Sequence, residues 1–172
     1  PELDYQENDS AAIIDDAITI TDVDDINMSA ATVTLTAGGF TDSTGDGATT
    51  KDLGDDGDVL GLAVTAYNDL STGFTLTDNT GGSWTLTDNT DTINITAQDD
   101  GSGNKQLAFS GSASKDIYQG LLQKVTYHSV SDNLTDIDTD PQPTQSRTVT
   151  WTVTDDNDDN VGAQNNVGTI VT

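Results

Sequence analysis

Aspartate recurs at alternate positions in two places where a run of extended character ends. Asp22 and Asp24, with Asp25 beside them, follow Ala17-Ile18-Thr19-Ile20-Thr21, and Asp155, Asn157 and Asp159 follow Val149-Thr150-Trp151-Thr152-Val153-Thr154. Oxygen donors spaced in this way can converge on one hard cation. Calcium takes about six to eight oxygens at about 2.3–2.6 Å from carboxylates, amides and backbone carbonyls. Without a cation the same side chains repel one another, so the clusters point to bound Ca2+, with a solvated acidic turn as the plain alternative. A third group, Asp132, Asn133, Asp136, Asp138 and Asp140, precedes Pro141, and a fourth is Asp52, Asp55, Asp56 and Asp58. In the middle of the chain Asp78, Asp88, Asp99, Asp100 and Asn104 could hold a calcium whose open coordination positions accept a ligand oxygen. Trp84, Phe74 and Tyr67 are the aromatic surfaces such a ligand would touch. The two leading clusters match neither the EF-hand spacing nor the glycine-rich nonapeptide of β-rolls.

Other chemistries have less to stand on. His128 is the sole histidine and falls within strand-like sequence, which suits a surface or rim position better than catalysis. Paired carboxylates can run glycoside hydrolysis, but thirty Asp and Glu residues make chance pairs unavoidable. No Ser-His-Asp arrangement, phosphate loop or dinucleotide fingerprint is present, and the expectation is a protein that is not an enzyme. Lys51, Lys105, Lys115, Lys124 and Arg147 are scattered, and they leave a formal net charge of -25. A field of that sign repels phosphate backbones and anionic headgroups, which argues against nucleic-acid and membrane-surface partners. The absence of cysteine removes disulfides, thiolate nucleophiles and Cys-type zinc sites. No apolar run of about eighteen residues and no basic leader with an apolar core is present, so neither a membrane span nor an export signal is expected.

The elements that must position these acids read as strands. Thr, Val and Ile supply much of the apolar and β-branched content while Lys, Arg, Glu and Met are scarce, which moves the composition toward an all-β fold. High charge with 33% hydrophobic content also fits disorder, but the sequence alternates regularly with period two. Strands are expected at 17–23, 31–37, 59–64, 92–97, 106–110, 125–130 and 147–154. In the last of these Val149, Trp151 and Val153 share one face, and Trp151 reads as a core anchor. An internal repeat, Phe74-Thr75-Leu76-Thr77-Asp78-Asn79-Thr80 and Trp84-Thr85-Leu86-Thr87-Asp88-Asn89-Thr90, brackets Gly81-Gly82 and predicts paired or successive short strands. One helix of two to three turns is expected after Ser114, from Ile117, Leu121, Leu122 and Val125 at three- and four-residue steps.

The order of these pieces resembles the cadherin-like repeats of giant bacterial adhesins of the repeats-in-toxin type. The likeness rests on Tyr5-Gln6-Glu7-Asn8-Asp9 with Ile18-Thr19-Ile20-Thr21-Asp22-Val23-Asp24, on Tyr118-Gln119-Gly120-Leu121-Leu122 running into Val125–Asn133, and on Arg147–Asp155. It implies a single antiparallel β-sandwich over 1–172, cadherin- or Ig-like, calcium-stabilised, carrying one short helix and exported to the bacterial cell surface within a longer protein. It also brings Glu7 beside Asp22 and Asp24. Sandwich repeats of this kind run to about a hundred residues, and here the excess lies at about 51–104. That enlarged insertion favours a calcium-dependent module binding a cell-surface peptide or glycan, monomeric and flanked by neighbouring repeats. A calcium-rigidified spacer with no ligand of its own is the alternative.

Overall fold

The structure, a computed structural model, describes residues 2–5, 9–22, 25–36, 58–63, 75–79, 81–87, 90–100, 102, 104–129, 147–156 and 169–171. Its strands are β1 (Ala12–Ile13), β2 (Thr19–Thr21), β3 (Asn27–Thr36), β4 (Asp58–Leu62), β5 (Thr75–Asp78), β6 (Ser83–Thr87), β7 (Thr92–Asp99), β8 (Lys105–Ser114), β9 (Val125–Ser129), β10 (Thr148–Asp155) and β11 (Thr169–Val171). Among the described residues there is one helix, α1 (Lys115–Leu122), between β8 and β9. The pairings are antiparallel and build a six-stranded sheet in the order β10-β3-β8-β7-β6-β5, a three-stranded sheet β1-β9-β4 and a two-stranded ribbon β11-β2. The fold is therefore mainly antiparallel β with one helix, an arrangement consistent with a sandwich.

Period-two alternation dictates which residues go inside. Val33 and Leu35 of β3, Leu107 and Phe109 of β8, Ile93 and Ile95 of β7, and Leu86 of β6 are all buried in one apolar cluster. The same cluster takes in Leu60 of β4, Val125 of β9, Ile18, Ile20 and the helix residues Tyr118, Leu121 and Leu122, so every sheet contributes to one core. Val153 is fully buried, while Val149 and Trp151 pack against the core half-exposed; Trp151 flanks the core rather than filling it. His128 is half-buried on β9, opposite Val59, in keeping with a rim position.

The internal repeat does form a hairpin. Thr75 pairs with Thr87, Leu76 with Leu86 and Asp78 with Trp84, joined through Gly81 and Gly82 at positive φ. Antiparallel pairing thus superposes the two copies in reverse order, so Trp84 faces Asp78 and not the residue equivalent to itself. Strands β5, β6 and β7, all from the enlarged middle of the chain, continue the six-stranded sheet outward from β8.

Two irregularities shape the end of that sheet where β3 begins. Register shifts fall between Met28 and Ala30 against β8, and between Thr154 and Asp155 against β10. On β8 the extra residue centres on Gly111, whose φ of 131° and approach to Thr92, where a Cβ would lie 2.1 Å from the carbonyl oxygen, leave room for glycine alone. The buried Tyr118 hydroxyl donates to the Gly111 carbonyl at 2.6 Å and ties the bulge to α1. Ser29 Oγ donates to the carbonyls of Asp155 and Thr154 at 2.5 and 3.3 Å, closing the second irregularity.

Helix α1 serves β2 as a substitute strand. Lys115 Nζ donates to the Asp22 carbonyl at 2.8 Å, Gln119 Oε1 accepts from Ile20 N–H at 3.0 Å, and Gln123 Nε2 donates to the Ile18 carbonyl at 2.7 Å. Four helical residues rise about 6 Å and two strand residues about 6.6 Å, so every fourth helix position meets every second strand position. The other edge of β2 is taken by β11.

Candidate functional site

The acids of the sequence separate by burial. Asp25 and Asp155 are each only 3% exposed, an unusual condition for aspartate. Asp155 continues the inward row of β10 set by Val149, Trp151 and Val153, and the bulge at Ser29 brings it opposite Met28. Asp25 lies just before β3 and donates its N–H to Asp22 Oδ1 at 3.1 Å, while the Ile26 carbonyl accepts from Lys115 N–H at 3.1 Å. Asp156 N–H reaches the Asn27 carbonyl at 3.4 Å, and its Oδ2 accepts from Ser112 Oγ at 2.6 Å. Asp22, Asp25, Asp155 and Asp156 therefore gather at one end of the fold, where β2 ends, β3 begins and β10 ends. Burial of carboxylates is unfavourable unless hydrogen-bond donors or charge of the opposite sign meet them.

Of the expected metal ligands, Asp22, Asp25 and Asp155 are among the described residues, at the end of β2, just before β3 and at the end of β10. Glu7, Asp24, Asn157, Asp159, Asp132, Asp136 and Asp138 lie outside the described residues. Among the described residues no group of three or more His, Asp or Glu side chains is close enough to hold a metal ion by itself.

The expected ligand-binding set is dispersed. Asp78 ends β5 and pairs with Trp84, which pairs with Ile95; Asp99 is four residues further along β7. That is about 13 Å along the strand and two strand spacings, about 9–10 Å, across it, too far for Asp78 and Asp99 to share an ion. Asp99, opposite Lys105, is exposed. Asp100 and Asn104 are occupied with each other: Asp100 Oδ1 accepts from Ser102 N–H at 2.7 Å and Asn104 N–H at 3.1 Å, and Oδ2 accepts from Asn104 Nδ2 at 2.8 Å. These donors, the Asn104 side chain first, hold the Asp100 carboxyl below its ordinary value. The role this geometry gives Asp100 is to stabilise the β7–β8 turn. Trp84, expected beside a ligand, is 9% exposed and belongs to the core, its buried indole N–H donating to no acceptor among the described residues. Asp88, Phe74 and Tyr67 lie outside the described residues.

One buried acid was not singled out from the sequence. Asp15, between β1 and β2, is 7% exposed; it carries no spacing signal, because its only acidic neighbour, Asp16, is adjacent in the chain and exposed.

These features define a mainly-β protein of antiparallel sheets with an acidic end. A scan against protein-family models, a search of curated proteins and a search of solved structures each return no match to this chain. Among the described residues no helix is long and apolar enough to cross a membrane.

Proposed function

We propose that this chain is a calcium-binding β-sandwich module of a bacterial surface adhesin, acting in cell adhesion outside the cell. The observation that carries the reading is the burial of Asp25 and Asp155 at the end where β3 begins and β10 ends. In a chain of net charge -25 with five basic residues, a divalent cation from solvent is the charge best suited to meet buried carboxylates. Calcium there ties the entry to β3 to the exit of β10, the two strands that carry the chain into and out of one edge of the large sheet.

Within this reading the module either captures a cell-surface peptide or glycan or acts as a calcium-stiffened spacer between neighbouring repeats. The burial of Trp84 and the separation of Asp78 from the Asp99–Asn104 hairpin favour the spacer. Capture would have to draw on segments outside the described residues.

Thermal unfolding in chelator and across a calcium titration, at ionic strength matched with sodium chloride, tests the proposal. A ligand at a hundred times its dissociation constant adds about 2.7 kcal/mol. For a domain of this size that corresponds to a rise in Tm of about 5–10 °C. An equal rise with sodium chloride alone would mean general charge screening and would remove the calcium reading.

A further inference from the structure

We propose that the chain pairs with a second copy of itself along β10, strand against strand, in an antiparallel dimer whose two-fold axis passes at Trp151. This contact is independent of the calcium reading above. From Arg147 to Asp155 the sequence runs Arg-Thr-Val-Thr-Trp-Thr-Val-Thr-Asp, a palindrome about Trp151 whose two ends carry opposite charge. Antiparallel pairing about that residue sets Trp151 against Trp151 of the second copy, Thr150 against Thr152, Val149 against Val153, Thr148 against Thr154 and Arg147 against the acidic end at Asp155. Aromatic, Thr–Thr and opposite-charge pairs across a ladder each stabilise it. A two-fold contact requires such self-complementarity, because both copies present the same patch.

The place of β10 in the sheet supports the same contact. It is the last strand at one margin of the six-stranded sheet, with β3 on its inner side. A marginal strand leaves a row of N–H and C=O groups outside the ladder, and soluble proteins blunt such edges by shortness, charge or proline. The other margin follows that rule, since β5 has 4 residues and ends in the exposed Asp78. Strand β10 has 8, and from Thr148 to Thr154 it carries neither charge nor proline. Its irregularity against β3 falls at the far end, between Thr154 and Asp155. Thr148, Thr150 and Thr152 are exposed and Val149 and Trp151 half-exposed, so both faces of the edge offer side chains to an added strand. In a chain of net charge -25, an uncharged edge is where two copies meet with least repulsion.

The test is sedimentation equilibrium of the whole chain in about 0.15 M sodium chloride, which screens the charges beyond about 8 Å, at concentrations that resolve a Kd between about 1 µM and about 1 mM. The wild-type protein is expected to dimerise. Thr150→Lys with Thr152→Lys gathers ammonium groups from both copies at the axis and should weaken the dimer by about tenfold or more. Asn94→Lys with Thr96→Lys puts the same charges on exposed positions of β7, inside the sheet, and should leave it intact. A wild-type protein that stays monomeric overturns the proposal, and so does a dimer that the two double variants weaken equally or not at all. Should the β10 variant fail to fold, cysteines decide the matter, because the chain has none of its own. Thr150 and Thr152 of different copies lie opposite, at a Cα separation of about 4.5–5.5 Å that a disulfide bridges. On oxidation a mixture of Thr150→Cys and Thr152→Cys should link unlike variants in preference to like ones, and no such preference overturns the pairing.

Discussion

Two ends of the same six-stranded sheet use aspartate in opposite ways. Where β3 begins and β10 ends, Asp25 and Asp155 are buried, one on the inward row of its strand and the other fixed through its amide to Asp22. At the β5–β6 and β7–β8 turns, Asp78 and Asp99 are exposed, and Asp100 spends its oxygens on the backbone and side chain of its own turn. Residue type and local charge density are alike in the two regions, so neither distinguishes a cation site from a solvated turn. Burial does, because an exposed carboxylate is already satisfied by water whereas a buried one needs a partner.

The largest expected effect follows directly. Asp25→Asn or Asp155→Asn should remove most of the calcium-dependent rise in Tm, equivalent to about 2.7 kcal/mol at a hundredfold excess over the dissociation constant. Asp78→Asn should change stability by less than about 0.5 kcal/mol with or without calcium. Calcorimetry of the three variants in chelator and in calcium checks both. The contrast fails if Asp78→Asn abolishes the calcium response while Asp25→Asn retains it.

A smaller effect tests what supports the buried end. Tyr118→Phe leaves the Gly111 carbonyl without its buried donor, at a cost of about 1–3 kcal/mol, and loosens the bulge that presents Ser112 to Asp156. Burial also raises the Tyr118 phenol above its ordinary value of 10.0. The unfolded chain then loses this proton before the folded one does, so the contribution is intact below pH 10.0 and declines as pH rises beyond it. Urea unfolding from pH 8 to 11 should show a steeper alkaline loss in wild type than in Tyr118→Phe. Parallel curves would mean that the hydroxyl is not sequestered as the fold requires.

Much of this architecture is legible in the sequence wherever one period persists. The alternation of β10, the Phe74/Trp84 repeat behind the β5–β6 hairpin and the three- and four-residue spacing of α1 all lead to elements near their expected places. What escapes has physical reasons. The expected strand at 31–37 begins at Asn27, because the irregularity at Ser29 breaks the period. The expected strand at 106–110 runs on to Ser114, because Gly111 interrupts the alternation as a bulge pressed against Thr92 while the strand continues. Strands β1 and β11, of 2 and 3 residues, are too short to show any period. For the site, the alternation of Trp84 and Leu86 in phase with Ile93 and Ile95 of the partner strand is visible in the sequence and places Trp84 inside. Asp15 carries no such signal: the chain beside it is held by Ile14 N–H on the Val125 carbonyl, far away in sequence.

The smallest expected effect sits at the exposed end and shows most sharply whether the contrast holds. The depressed Asp100 value means that the unfolded chain takes up this proton at a higher pH than the folded one. Its contribution is therefore present above the ordinary 3.8 and is lost as pH falls from there through the folded value. Urea unfolding between pH 5 and pH 2 should show a small acid-dependent loss in wild type that is absent in Asp100→Asn, while the calcium response of the variant is unchanged. Both oxygens of Asp100 already accept hydrogen bonds, and a cation would have to displace those donors and open the turn to bind. A calcium response lost in Asp100→Asn would mean that the turn gives up its hydrogen bonds for the ion, and exposure would then no longer separate the acids that hold the chain's shape from those that hold its metal.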